Sequence, residues 1–202
     1  MTKRGYVSSV RNAAAAKKRD RVVEAAAKSL REDESIARFS LDTVAKAAGV
    51  TRLTVYNQFG SRRGLLEAVF DDIARHGGLH RLGDAMAMPD PRMALDRVVE
   101  IFCGFWARDA AIGRLHEAMA TDPEFAEALL ERNERRRKLV KMLVGRVAAK
   151  TASRRAREDA VDMIFALTSY PIFAMLNRGR PTSEVCHLAQ TACRAAVDPL
   201  VP

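Results

Sequence analysis

Four side chains in the run Thr51–Phe59 offer a surface suited to a polyanion. Arg52, Thr54, Tyr56 and Asn57 bring a cation, two hydroxyls and an amide within a single short stretch. None of them is needed to hold a fold. The apolar residues of the same stretch, Val55 and Phe59, stand four apart and take one side of a helix, which leaves the polar four on the other. A helix that turns a cation and hydrogen-bonding groups outward is what reading the major groove of DNA requires.

The elements that would position these groups are legible on either side. In LDTVAKAAGVTRLTVYNQFGSRRGLL, Leu41, Val44, Ala45 and Ala48 fall at i, i+3, i+4 and i+7 and give one helix an apolar face. Gly49 follows, where a helix stops and the chain needs a positive φ. Thr51 can then accept from the free N–H groups at the start of a second helix. Two short helices joined by a three-residue turn containing glycine form a helix-turn-helix. Ala45 supplies the small residue between the helices, Gly49 the turn and Val55 the buried anchor.

With these residues in place, the segment from about Lys17 to His76 resembles the DNA-binding domain of TetR-family transcriptional regulators. That family's pattern is an Ala-Gly-Val/Ser-Thr turn, Thr-aliphatic-Tyr-x-x-Phe, a polar cap, a basic residue and a Leu-Leu pair. Here it reads Ala48-Gly49-Val50-Thr51, Thr54-Val55-Tyr56-Asn57-Gln58-Phe59, Ser61-Arg62 and Leu65-Leu66. Two positions depart from it: Arg62 replaces the usual lysine, and Gly64 stands where a helix-favouring residue is common, so the next helix starts without a capping box. The resemblance implies that Arg52 and Leu53 read bases, the first pairing with guanine and the second meeting a thymine methyl. It assigns Thr54 and Asn57 to bases or phosphates, and Thr51, Tyr56, Gln58 and Arg62 to phosphates.

The resemblance further implies an all-α protein of about nine helices. An N-terminal three-helix helix-turn-helix DNA-binding domain would precede a C-terminal helical bundle, and the whole would be dimeric. The partners it implies are an operator in double-stranded DNA, a second copy of the chain, and a small-molecule effector of unknown identity. It points to a repressor released by that effector; the alternatives are a helical-bundle enzyme or metal protein carrying an incidental helix-turn-helix, and a DNA-binding dimer without an effector, while the residues themselves offer no complete catalytic, cofactor or metal set.

Composition agrees with the class. Strand-like alternation is absent, and Ala, Leu, Arg and Glu dominate the 202 residues. The net charge is +9, and residues 1–75 hold 15 Lys/Arg against 9 Asp/Glu, an excess of 6 in the smaller part of the chain. That is the footprint of a surface facing phosphates. No run approaches a membrane span, no signal-peptide segment opens the chain, and three cysteines make no disulfide framework, so a cytoplasmic location is expected. Glu184-x-x-His187 resembles half of a di-iron ligand set, but no second such pair exists. Cys103, Cys186 and Cys193 read as small core residues.

The expected organisation is a mobile basic arm over 1–12, the DNA-binding domain over 13–76, a connector over 77–90, and a ligand-binding and dimerisation domain over 91–202. In the last domain, Phe102, Phe105, Trp106, His116, Met119, Phe125, Tyr170 and Phe173 are candidates to line an apolar ligand site. The charge run Glu131–Lys138 reads as a solvated helix face. A helix over about 154–177 is expected to kink at Pro171, which cannot donate to the carbonyl of Leu167. This helix and the next are apolar enough to require a partner, and Phe165, Phe173, Leu176, Val185, Leu188 and Ala192 are the candidate dimer interface.

Overall fold

The computed structural model describes residues 3–32 and 35–201. These form α1 (Lys3–Glu32), α2 (Leu41–Ala48), α3 (Arg52–Phe59), α4 (Arg62–His76), α5 (Leu82–Ala87), α6 (Pro91–Arg108), α7 (Ala111–Ala118), α8 (Pro123–Val147), α9 (Arg154–Leu167), α10 (Tyr170–Leu176) and α11 (Thr182–Val197). Single 3-10 turns occupy Ile36–Arg38, Leu79–Arg81 and Asp198–Leu200. Among the described residues there is no strand, as the composition requires.

Eleven helices replace the expected nine among the described residues. One addition is α5, inside the stretch expected to be a connector, where Ala85 is buried in the core. The other comes from the helix over 154–177, which breaks in two. Pro171 gives Leu167 no N–H, and the Thr168 hydroxyl donates to the carbonyl of Ile164 at 2.8 Å, closing α9. The chain restarts as α10 with the proline in its first turn and a bend of 58°. The expectation of an arm over 1–12 is also corrected: residues 3–12 belong to α1. Once 13–32 have formed a helix, each further residue adds a hydrogen bond without a new nucleation cost.

The chain forms two compact units. The first comprises Met1–Ile73 with Ala110–Ala128, and the second Ala74–Asp109 with Leu129–Pro202. A division at the connector is therefore replaced by one in which α7 and the start of α8 pack with the N-terminal helices. The core of the first unit holds Val22, Leu30, Val44, Val55, Leu65, Leu66, Leu115 and Phe125, all fully buried. The core of the second holds Leu95, Val98, Phe102, Val140, Leu143, Ile164, Val185 and Cys193. There α6 and α11 are tied by Arg194, whose guanidinium meets both Asp96 oxygens at 2.8 and 2.6 Å, and by Gln190, which donates to the Asp96 carbonyl at 3.1 Å.

Candidate nucleic-acid interface

The helix-turn-helix is fixed by hydrogen bonds at each end of its two helices. Ser40 and Thr43 form a reciprocal capping box at the start of α2, with contacts of 3.1 and 3.0 Å. Gly49 ends α2 at φ 63°, and its N–H donates to the carbonyls of Ala45 and Lys46. From α1, Arg21 Nη2 donates to the carbonyl of Ala48 at 2.6 Å, and a Cβ on Gly49 would sit 3.3 Å from that nitrogen. Glycine is needed there for its φ, and a Cβ would in addition press closely on Arg21.

Thr51 caps α3, accepting the Thr54 N–H at 3.2 Å, and the two hydroxyls lie 2.9 Å apart. Val55 and Phe59 point into the core. At the far end, Arg19 of α1 stacks on the Phe59 ring at 4.4 Å and donates to the Gln58 carbonyl at 3.0 Å. α3 is thus held by two inward side chains, its cap and one cation, while its outer face takes no part in the fold. Leu53 is 65% and Tyr56 55% exposed, an unusual expense for large apolar groups on an eight-residue helix. Arg52 and Asn57 are exposed beside them. Arg52 Nε meets Asp42 Oδ2 of α2 at 3.3 Å, with both side chains 68% exposed. An exposed pair of this kind contributes only about 0–1 kcal/mol, so it orients the guanidinium without locking it. The N–H groups of Arg52 and Leu53, ahead of the capped Thr54, also open α3 without intrahelical partners and favour an anion.

Two expected phosphate contacts are placed elsewhere. Arg62 is engaged through all three nitrogens: Nε donates to the Phe39 carbonyl at 3.2 Å, Nη2 to the Ile36 carbonyl at 3.4 Å, and Nη1 to Asp122 Oδ2 at 3.1 Å. With the Phe39 ring 5.8 Å away, it is a half-buried clasp between α4, the Ile36–Arg38 turn and the start of α8. Its side chain is spent on the fold. Gln58 is half-buried, with its amide oxygen Oε1 out of solvent and without a hydrogen-bond partner. The start of α4, expected to lack a capping box, is held by Ser61, whose Oγ accepts the Gly64 N–H at 3.1 Å. A Cβ on Gly64 would lie 2.0 Å from the Phe59 carbonyl oxygen. The glycine permits the close α3–α4 approach that aims the outer face of α3.

The ligand candidates fall in both compact units. Phe102, Phe105, Trp106, Tyr170 and Phe173 belong to the second unit, whereas His116, Met119 and Phe125 belong to the first. Phe125 is fully buried there as a core residue, and burial lowers the pKa of His116. Within the second unit, Trp106 stacks on Phe102 at 6.3 Å, meets Phe105 at 4.7 Å and Tyr170 edge-on at 5.7 Å. Its Nε1 donates to the Thr168 carbonyl at 3.0 Å.

Two of the expected interface residues, Phe173 and Val185, are 5% and 1% exposed in the single chain and fill its own core. They satisfy the apolar pattern from within. The large apolar groups left outward on these helices are Met163, Met175 and Leu188. The cysteines face each other across α6 and α11. A hydrogen bond from Cys103 lowers the Cys186 pKa and, with burial, raises that of Cys103, while burial pushes Cys193 up to about 12.

Sequence reasoning missed Arg136. The charge run reads as a solvated face in sequence, yet this arginine is 8% exposed. The signal was available: Leu129, Arg136, Val140 and Leu143 fall at i, i+7, i+11 and i+14, so Arg136 occupies a position on the inward stripe of α8. Burial, with Arg137 adding repulsion, pulls its pKa down to about 10.

A two-helix unit with an exposed outer face, in a chain whose described residues form helices and no strand, defines a helix-turn-helix protein. Residues 24–69 match the family model described as bacterial regulatory proteins, tetR family. The HTH-type transcriptional regulator EthR of Mycolicibacterium smegmatis is 30% identical over 151 residues, 74% of this chain and 66% of that protein. The fold is similar to that of a TetR-family transcriptional regulator from Rhodococcus sp., with a TM-score of 0.72, 16% identity, and coverage of 90% of this chain and 100% of that one. It is also similar to NalD, the secondary repressor of the MexAB-OprM multidrug efflux pump in Pseudomonas aeruginosa, with a TM-score of 0.63, 20% identity and coverage of 88% and 94%. The chain belongs to the TetR family.

Proposed function

We propose that this TetR-family chain is a transcriptional regulator that binds double-stranded operator DNA as a homodimer and is released by a small-molecule effector, acting as a repressor. It is a binding protein and not an enzyme. The observation that carries the reading is the outer face of α3, where Arg52, Leu53, Tyr56 and Asn57 are exposed on a helix whose two ends are fixed. Arg52 and Leu53 are the base readers. Thr51, Tyr56 and the free N–H groups of the first turn hold phosphate, and Thr54, tied to Thr51, sets the approach. The match to EthR, over 74% of this chain, supports the same class.

Release follows from linkage. An effector that binds better to the DNA-incompetent conformation weakens operator binding by the same factor. The test is an anisotropy titration of the full chain against duplex DNA from upstream of its own gene and a scrambled duplex of equal length. The expected result is binding at least about a thousand-fold tighter to the former, with Tyr56→Phe weakening both alike because a phosphate contact carries no sequence information. Equal affinity for every upstream and scrambled duplex would remove the regulator reading.

A further inference from the structure

α8 carries Arg136 into the core of the second unit with no acid among the described residues to meet it. Nη1 donates to the carbonyl of Phe165 at 2.7 Å and lies 3.0 Å from the hydroxyl of Thr168, so this corner of the guanidinium closes the C-terminal end of α9. The plane lies over the Phe165 ring, 4.1 Å from its centroid. Nearby acids serve a different residue: Asp162 and Glu134 pair with Arg137, the latter at 3.4 Å. The end of a helix supplies only a fraction of a negative charge, and a buried cation without a counter-charge is expensive.

The unused part of Arg136 has a definite shape. Nε is buried without a hydrogen-bond partner, and Nη2 reaches only Asn133 Oδ1 at 3.5 Å, the limit of a hydrogen bond. Nε and Nη2 form the side of the guanidinium that takes both oxygens of a carboxylate at once. Phe102, 5.8 Å from the guanidinium, stands beside it, continuing through Trp106 to Tyr170 as an aromatic wall. Trp106 is joined to the same knot through the Thr168 carbonyl.

We propose that the Nε–Nη2 edge of Arg136 anchors the carboxylate of an amphipathic effector whose apolar body lies against Phe102, Trp106 and Tyr170. The proposal names the chemical class of the effector and rests on the reading of the protein as effector-responsive. The carboxylate supplies the missing counter-charge, and the aromatic wall takes the tail.

Trp106 is the sole tryptophan, so its fluorescence reports binding at this place without any DNA. The full chain is titrated with octanoate, dodecanoate and hexadecanoate, each against the alcohol of the same length. At least one acid should change the Trp106 signal saturably and bind about ten-fold more tightly than its alcohol. Arg136→Gln should remove that preference, and Arg136→Lys, which keeps the charge but not the fork, should reduce it. Circular dichroism establishes which variants fold; should Arg136→Gln fail to do so, Arg136→Lys and the acid–alcohol comparison on wild type decide the matter. The proposal is overturned if no acid perturbs Trp106, if acid and alcohol bind the wild type alike, or if a folded Arg136→Gln keeps the preference. Adding the acid to the protein–DNA complex separates the two readings. Acid that binds but leaves DNA bound removes the regulatory role and keeps the site, whereas intact DNA binding with no acid bound removes the site alone.

Discussion

Arg52 and Arg62 lie ten positions apart and show how alike two arginines look in sequence and how differently the fold uses them. Arg62 spends three nitrogens on Phe39, Ile36 and Asp122. Arg52 has one exposed acid beside it and bulk water otherwise. Arg52→Ala should therefore cost little stability but lose about 1–3 kcal/mol of base discrimination, roughly ten-fold or more in affinity for the cognate operator. Titration against operators altered one base pair at a time checks this: preference at one guanine per half-site should relax. A loss uniform across sequences would make Arg52 a phosphate contact instead. Of the outward set Arg52, Thr54, Tyr56 and Asn57, Thr54 is half-buried beside Thr51 and the other three are exposed; they were legible because helical period and cap chemistry are local. The fates of Arg62 and Gln58 were not, because their partners sit on other elements and only tertiary packing brings them near. Arg136 falls between the two cases. Its place on the inward stripe was readable, but the surrounding run of charges outweighed one position in the pattern.

At the scale of elements, α9 to α11 were read as apolar enough to need a partner, and the structure divides that demand in two. Phe173 and Val185 are consumed by the chain's own core, while Met163, Met175 and Leu188 remain outside. The helical period identified the apolar residues correctly but could not tell an internal neighbour from an external one. The break at Thr168–Ser169 adds to this, since a 58° bend turns α10 onto a different face from the one a continuous helix would present. The two classes of residue should respond differently to a charge. Leu188→Asp should give a folded monomer by light scattering, because a buried unpaired carboxylate at the interface is intolerable while an exposed one is harmless. Phe173→Asp should instead lower the thermal midpoint or abolish folding, as loss of a buried phenyl alone costs about 3–5 kcal/mol. A fully dimeric Leu188→Asp would move the interface off α11.

In the whole molecule, α4 and α8 each begin in the first compact unit and end in the second. Arg136 lies about four turns along α8 from its N-terminal cap, Asp122, which accepts the Phe125 N–H at 3.0 Å and grips Arg62 at 3.1 Å. Arg62 opens α4 immediately after the turn that ends α3. The central claim is that the chain reads DNA as a two-fold dimer. Hydroxyl-radical footprinting of the full-length protein on DNA upstream of its gene tests it most directly. The account predicts two related protected half-sites whose centres are about 34–36 Å apart along the duplex, one helical turn, or a multiple of that spacing. Protection of a single unpaired site, or none that survives scrambled competitor DNA, would contradict it.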